Sequence, residues 1–168
     1  DRMWSSIIEQ VVAKEGFVPM DYQGLKKCAP VPNLVLMNTH ILKHAMGHGI
    51  GLRQFCDLAV CYARYGRDSQ VFDEYMKLMS DCGLETWTNA LNAWIDAVFF
   101  GKGTLDAETE SLFKRILKNG NFGMESDARK PASTLVRKWR TAKILASNAA
   151  FGLRYARREY LALIGELV

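Results

Sequence analysis

Several kinds of text are missing from these 168 residues, and each absence excludes a class of protein. There is no long apolar run. Stretches such as Leu34 to Met37 and Ala97 to Phe100 are far shorter than the roughly 20 residues that a membrane-spanning helix needs. No basic-then-apolar leader opens the chain, so no secretory signal is expected. Cysteines number four, and none forms a C-x-x-C pair, which removes the common zinc and redox spacings. Cys28, Cys56, Cys61 and Cys82 read as reduced, buried thiols, and a cytoplasmic location is the expectation. Gly-Gly and Gly-Ser dipeptides are also absent, as is any convincing run of alternating polar and apolar residues.

The residues present are those of an ordinary globular chain. Apolar residues make up 49% and charged residues 24%, which excludes bulk disorder. The length suits one helical domain over residues 1–168. Because it starts at Asp1 without a methionine, the chain reads as a fragment of a longer polypeptide. The net charge of +4 is uneven. Residues 129–158 carry nine basic and no acidic side chains, while the preceding 128 residues are slightly acidic. An anionic partner would be felt at that basic segment.

Helical periodicity runs through nearly all of the chain. Trp4, Ile7, Ile8, Val11 and Val12 share one helix face, closed by Gly16. Pro19, Pro30 and Pro32 mark residues 17–32 as a loop with a short extended piece. Asn33 is placed to cap a helix running to about Met46. Leu52, Phe55, Cys56, Ala59, Tyr62 and Ala63 form the next stripe, ended by Gly66. Asp68 or Ser69 caps a helix with Phe72, Tyr75, Met76 and Met79, stopped by Gly83. Trp87, Leu91, Trp94, Ile95, Val98 and Phe99 follow, and Thr104 then opens a helix reaching Asn119-Gly120. A last, long helix is expected from about Ala132 to the C-terminus, with Leu135, Trp139, Ala142, Ala146, Ala149, Leu153, Tyr160 and Ile164 on one stripe. The fold class is therefore all-α, about seven helices in an orthogonal or antiparallel bundle, with Trp87, Trp94 and Trp139 at least partly buried.

The most unusual text lies between His40 and Asp57. His40 and His44 are four apart and share a helix face. A metal site would need a third ligand and a carboxylate or water, so packed or hydrogen-bonded histidines are the expected reading. Arg53 and Asp57 are also four apart. As a surface pair they would add a few tenths of a kcal/mol. However, Arg53 falls in the first helical turn, where the dipole disfavours a cation, and basic-before-acidic is the weaker order for such a pair. A tertiary task for Arg53, bridging to another helix, a carboxylate or a phosphate, stands beside the surface-pair reading. It predicts a buried or half-buried Arg53.

This text, His40-x3-His44 and then Gly49-Ile-Gly51-Leu52-Arg53-Gln54-x2-Asp57, resembles the uncharacterised nucleotidyltransferase family of bacteria. Lys118-Asn-Gly-Asn121-Phe122-Gly123 is similar to a turn of the same family. The resemblance covers roughly residues 1–125. It implies a nucleotidyltransferase core followed by a helical part, to which this chain corresponds, and it implies magnesium and a nucleoside triphosphate for the intact protein. The paired acids that hold metal in such cores, preceded by a glycine turn, are missing here. Asp106-x-Glu108-x-Glu110 stands at a helix start and reads as capping charge. No catalytic residue, cofactor site or metal ligand is therefore assigned to this chain, and alone it is expected to be inactive. His40, His44, Arg53 and Asp57 are substrate or cleft candidates.

The basic segment supplies a second set of candidates. Arg137, Arg140, Lys143, Arg154 and Arg158 fall in one band beside the long apolar stripe, as either a solvated face or a contact for the phosphate of a nucleotide or RNA. The expected partners are thus the missing catalytic domain and a phosphate-bearing ligand. The alternative function is a non-enzymatic all-α module that binds a protein or an anionic polymer.

Overall fold

A computed structural model describes residues 9–14, 16–20, 24–46, 50–67, 69–118 and 134–165, without the side chains of residues 134, 135, 137, 140, 141 and 163. Among these residues the architecture is all-α apart from one small hairpin. Helix α1 covers residues 9–14. Strands β1 (Phe17–Pro19) and β2 (Lys26–Cys28) pair antiparallel, with Phe17 opposite Cys28. Then come α2 (Pro30–Met46), α3 (Leu52–Tyr65), α4 (Gln70–Asp81), α5 (Glu85–Phe100) and α6 (Ala107–Lys118). Helices α7 (Thr134–Ser147), α8 (Ala149–Tyr155) and α9 (Arg157–Gly165) complete the order. Trp4, Ile7, Ile8, His48 and the 119–123 turn lie outside the described residues.

The prolines behave differently from the loop expected of them. Pro30 and Pro32 sit inside the first turn of α2, where the missing N–H groups have no intrahelical acceptor to lose. Asn33 consequently lies within the helix rather than at its cap. Its backbone N–H donates to the Ala29 carbonyl, and its side chain donates to Tyr65 Oη at 3.3 Å. Ser69 does cap α4, accepting from the Phe72 N–H at 3.3 Å. Helix α6 begins three residues later than Thr104, because Asp106 provides the cap. Its carboxylate accepts from the Thr109 N–H at 2.8 Å and the Thr109 hydroxyl at 2.7 Å, which holds the Asp106 carboxyl below its usual range.

Helix α2 packs on α3 and α4, and α5 packs on α3, α4, α6 and α8. Trp87 and Trp94 are buried as expected, each stacked on Phe113 of α6. A chain of polar groups also crosses this core. The Trp87 indole N–H donates to Asn38 Oδ1 at 2.8 Å, and Asn38 Nδ2 donates to Tyr75 Oη at 2.6 Å and to Thr88 Oγ1 at 3.3 Å. Tyr62 donates to Asn92 Oδ1 at 2.5 Å. Its only proton is thereby used, so Tyr75 must donate across the 3.2 Å contact to Tyr62 Oη. The indole, which can only donate, fixes the direction of the bonds through Asn38, and the Asn92 carbonyl fixes those through Tyr62.

The single long C-terminal helix is corrected to three. The chain breaks at Asn148 and again at Ala156, whose backbone angles leave the helical region. Each break resets the phase of the buried face. Leu145, Phe151, Tyr155, Ala156 and Tyr160 are buried, whereas Trp139 is 72% exposed and Leu153 and Ile164 are exposed. The breaks let α8 and α9 fold back on themselves. Gly152 makes this possible, since a Cβ there would stand 2.2 Å from Tyr160 Cδ2. Tyr160 Oη donates to the Leu145 carbonyl at 2.9 Å, and Asn148 Nδ2 donates to the Met46 carbonyl at 2.8 Å, capping the end of α2.

Burial raises the phenols of the polar chain: Tyr75 is pushed up to about 12, and Tyr62 is raised well above its usual value. Both folded values exceed the unfolded value near 10, so the native state keeps protons that the unfolded chain releases. Stability is therefore expected to be full below about pH 10 and to fall towards pH 12, at up to about 1.4 kcal/mol per pH unit for each tyrosine. Urea unfolding at a series of alkaline pH values checks this. The fall should be shallower in Tyr75→Phe. A curve that stays flat through this range would contradict the buried chain.

Candidate functional site

Helices α2 and α3 lie side by side, and their outer faces bound an open groove of about 450 Å³. Leu36, Met37, His40 and Ile41 line it from α2, and Arg53, Gln54 and Asp57 from α3. The placement follows from periodicity. Leu34, Asn38, Ile41 and Leu42 turn one side of α2 into the core, so Leu36, Met37 and His40 fall towards its other side. Likewise Phe55, Leu58, Ala59 and Tyr62 fix the buried face of α3 and leave Arg53 and Asp57 outward.

The structure thus brings His40, Arg53 and Asp57 to one groove from two helices. His44 lies one turn beyond His40, with the two rings 4.5 Å apart in an edge-to-face arrangement. His40 is exposed and His44 half-buried. The expectation that Arg53 would be buried in a tertiary bridge is corrected: Arg53 and Asp57 are both exposed. Among the described residues neither makes a hydrogen bond or an ion pair, with each other or across helices. The backbone explains the exposure. Gly51 at the N-cap offers no side chain to the first turn of α3, which also carries no acid, so no partner is built for Arg53. Gln54 is the lining residue that sequence reasoning passed over. Its Oε1 is buried with no hydrogen-bond partner among the described residues.

The basic band does not survive as one stripe, because its members belong to three helices. Lys143 lies on α7 and is exposed; Arg137 and Arg140 lie on the same helix, with side chains outside the description. Arg154 on α8 pairs with Glu108 at 2.6 Å, and Tyr155 Oη donates to Glu108 at 3.2 Å. Arg158 on α9 packs its guanidinium against Gly83. Concave surfaces of about 370 and 400 Å³ flank the Arg154–Glu108–Tyr155 contact.

The acids also bear on a divalent cation. Asp106 is occupied by Thr109, Glu108 by Arg154 and Tyr155, and Glu110 by Lys114 at 2.7 Å. These carboxylates serve caps and ion pairs and do not converge. Among the described residues no three histidine, cysteine, aspartate or glutamate side chains are grouped to hold a metal. Among the described residues no carboxylates are therefore arranged as a magnesium site. Cys61 and Cys82 are buried and Cys28 and Cys56 half-buried, all four free, and burial pushes the Cys61 and Cys82 thiols up. Among the described residues no helix is long and apolar enough to cross a membrane. No family model, curated protein or solved structure matches the chain.

Exposed, unpaired charges add little to stability. Arg53→Ala and Asp57→Ala are each expected to cost less than about 1 kcal/mol in chemical denaturation, within the range of ordinary surface substitutions. Trp87→Phe, which strands Asn38 Oδ1, should cost about 1–3 kcal/mol in the same experiment. A cost for Arg53→Ala equal to that of Trp87→Phe would restore the tertiary bridge.

Proposed function

We propose that this chain is the substrate-side helical part of a nucleotidyltransferase-like protein, and that the α2–α3 groove is the wall of its acceptor cleft. The observation that carries the reading is the convergence of His40, Arg53, Gln54 and Asp57 on one groove, with Arg53 and Asp57 exposed and contributing no ion pair to the fold. Charged groups held in a concave site without a structural partner mark a place for a ligand. The same positions carry the family resemblance of the His40–Asp57 text. In this reading the metal and the nucleoside triphosphate belong to a catalytic half that the described residues do not supply, and the groove holds and orients the group that accepts the nucleotidyl moiety.

A second reading, a module for an anionic polymer, is favoured by α7. There Trp139 is 72% exposed, and Lys138 and Lys143 are exposed with it. An aromatic face beside cations suits single-stranded nucleic acid.

One assay separates the two. The natural polypeptide extended upstream of Asp1 is incubated with magnesium, labelled nucleoside triphosphates and a panel of acceptors, with the 168-residue chain in parallel. The extended protein should transfer label and the chain alone should not. Arg53→Ala and Asp57→Ala in the extended protein should each lower kcat/KM by about ten-fold or more without loss of folding. Metal-dependent turnover by the chain alone, or full activity in both variants, overturns the first reading. Oligonucleotide binding that Trp139→Ala abolishes, in a protein without transferase activity, would establish the second.

A further inference from the structure

We infer that the α2–α3 groove takes a phosphate ester whose carbon skeleton carries hydroxyl groups. The inference rests on the proposed acceptor cleft and names its ligand class. Arg53 and Asp57 stand one helical turn apart, about 6 Å along α3, and neither is neutralised. An inorganic anion drawn to Arg53 meets the repulsion of Asp57. A ligand that brings an anion to one and a hydrogen-bond donor to the other satisfies both.

Asp57 sets the rest of the chemistry. Its carboxylate only accepts, so a ligand that reaches it must bring a donor. A dianionic phosphate has no proton to give, whereas a hydroxyl has. His40 faces the same groove and can donate to or accept from a further hydroxyl. Leu36, Met37 and Ile41 provide an apolar floor for the carbon skeleton between the polar ends. The volume of about 450 Å³ lies in the range of small-molecule sites. A polymer of phosphates is disfavoured, because the groups following the first would pass Asp57.

The ester could be a phosphorylated sugar acceptor or a nucleoside monophosphate, and calorimetry on the 168-residue chain at low salt distinguishes them. The probes are glucose 6-phosphate, AMP, glucose, inorganic phosphate and glycine. At least one ester should bind about ten-fold or more tightly than phosphate, glucose or glycine. Preference for glucose 6-phosphate assigns a sugar acceptor, and preference for AMP assigns a nucleotide. Arg53→Gln should reduce the preferred ester to the level of glucose. Asp57→Asn should weaken the ester while leaving inorganic phosphate unchanged or tighter, a split that mere loss of folding would not produce. Inorganic phosphate or glycine binding as tightly as both esters, or no ester binding up to about 10 mM, overturns the inference. Transfer to a non-phosphorylated acceptor in the extended protein, still sensitive to Arg53→Ala, would defeat the ester and leave the acceptor cleft standing.

Discussion

The indole N–H of Trp87 has one proton to give and nothing to accept, and the arrangement of four helices follows from where it goes. It donates to Asn38 Oδ1, which turns the amide of that side chain towards Tyr75 and Thr88. Tyr75 then passes its proton towards Tyr62, and Tyr62 gives its own to Asn92. Asn38 belongs to α2, Tyr62 to α3, Tyr75 to α4, and Trp87, Thr88 and Asn92 to α5. A polar chain in a low-dielectric core tolerates no slip of one helix along another, since any slip leaves a buried group unpaired. The apolar contacts around it, including the stack of Trp94 and Trp87 on Phe113, supply affinity between helices. The polar chain supplies register. The groove between α2 and α3 is the outer surface of the two helices that this register locks together.

Charge in the described residues divides by purpose. Arg67 lies over the Tyr62 and Phe72 rings and pairs with Asp96 of α5, which closes the outer end of the polar chain. Arg154 and Glu108 join α8 to α6. Both pairs link elements distant in sequence; the Arg67 pair is half-buried against aromatic rings and outweighs an isolated surface pair, whereas Arg154 and Glu108 are exposed. Arg53 and Asp57 do nothing of the kind. A charge that holds no part of the fold together and sits in a concavity is available to a ligand, and Lys77 and Asp81 on α4 share that condition beside Lys14.

How much could be read in advance varied with the kind of interaction involved. Helices α3 to α6 were legible because apolar spacing and the punctuation of Gly66, Ser69, Gly83 and Gly101 act locally. Ser69 as a cap and the burial of Trp87 and Trp94 followed from the same local rules. The start of α2 is not legible locally, since a proline signals a loop in isolation yet fits a first helical turn. Gathering His40, Arg53 and Asp57 as candidates needed only their spacing, but the groove that joins them needed α2 and α3 placed side by side.

The sequence by itself determined the class of the fold and the centre of the face that each central helix buries, because a period of 3.6 residues is written into the order of side chains, whereas Leu52, Ala63 and Val98, placed on those faces by the same period, are exposed. It also determined which charges were unusual, through the odd position of Arg53 at a helix start. Only the tertiary structure decided the rest. The C-terminal segment satisfies one helical stripe as well as three, and the choice turned on Asn148 reaching the Met46 carbonyl and Gly152 admitting Tyr160, contacts that no local pattern contains. Trp139 is exposed for the same reason. Whether Arg154 was a free cation or half of a pair depended on Glu108, 46 residues away. Hydrogen bonds and ion pairs between distant residues form only when packing has brought their elements together, so a partner of this kind has no signature in the sequence around either residue.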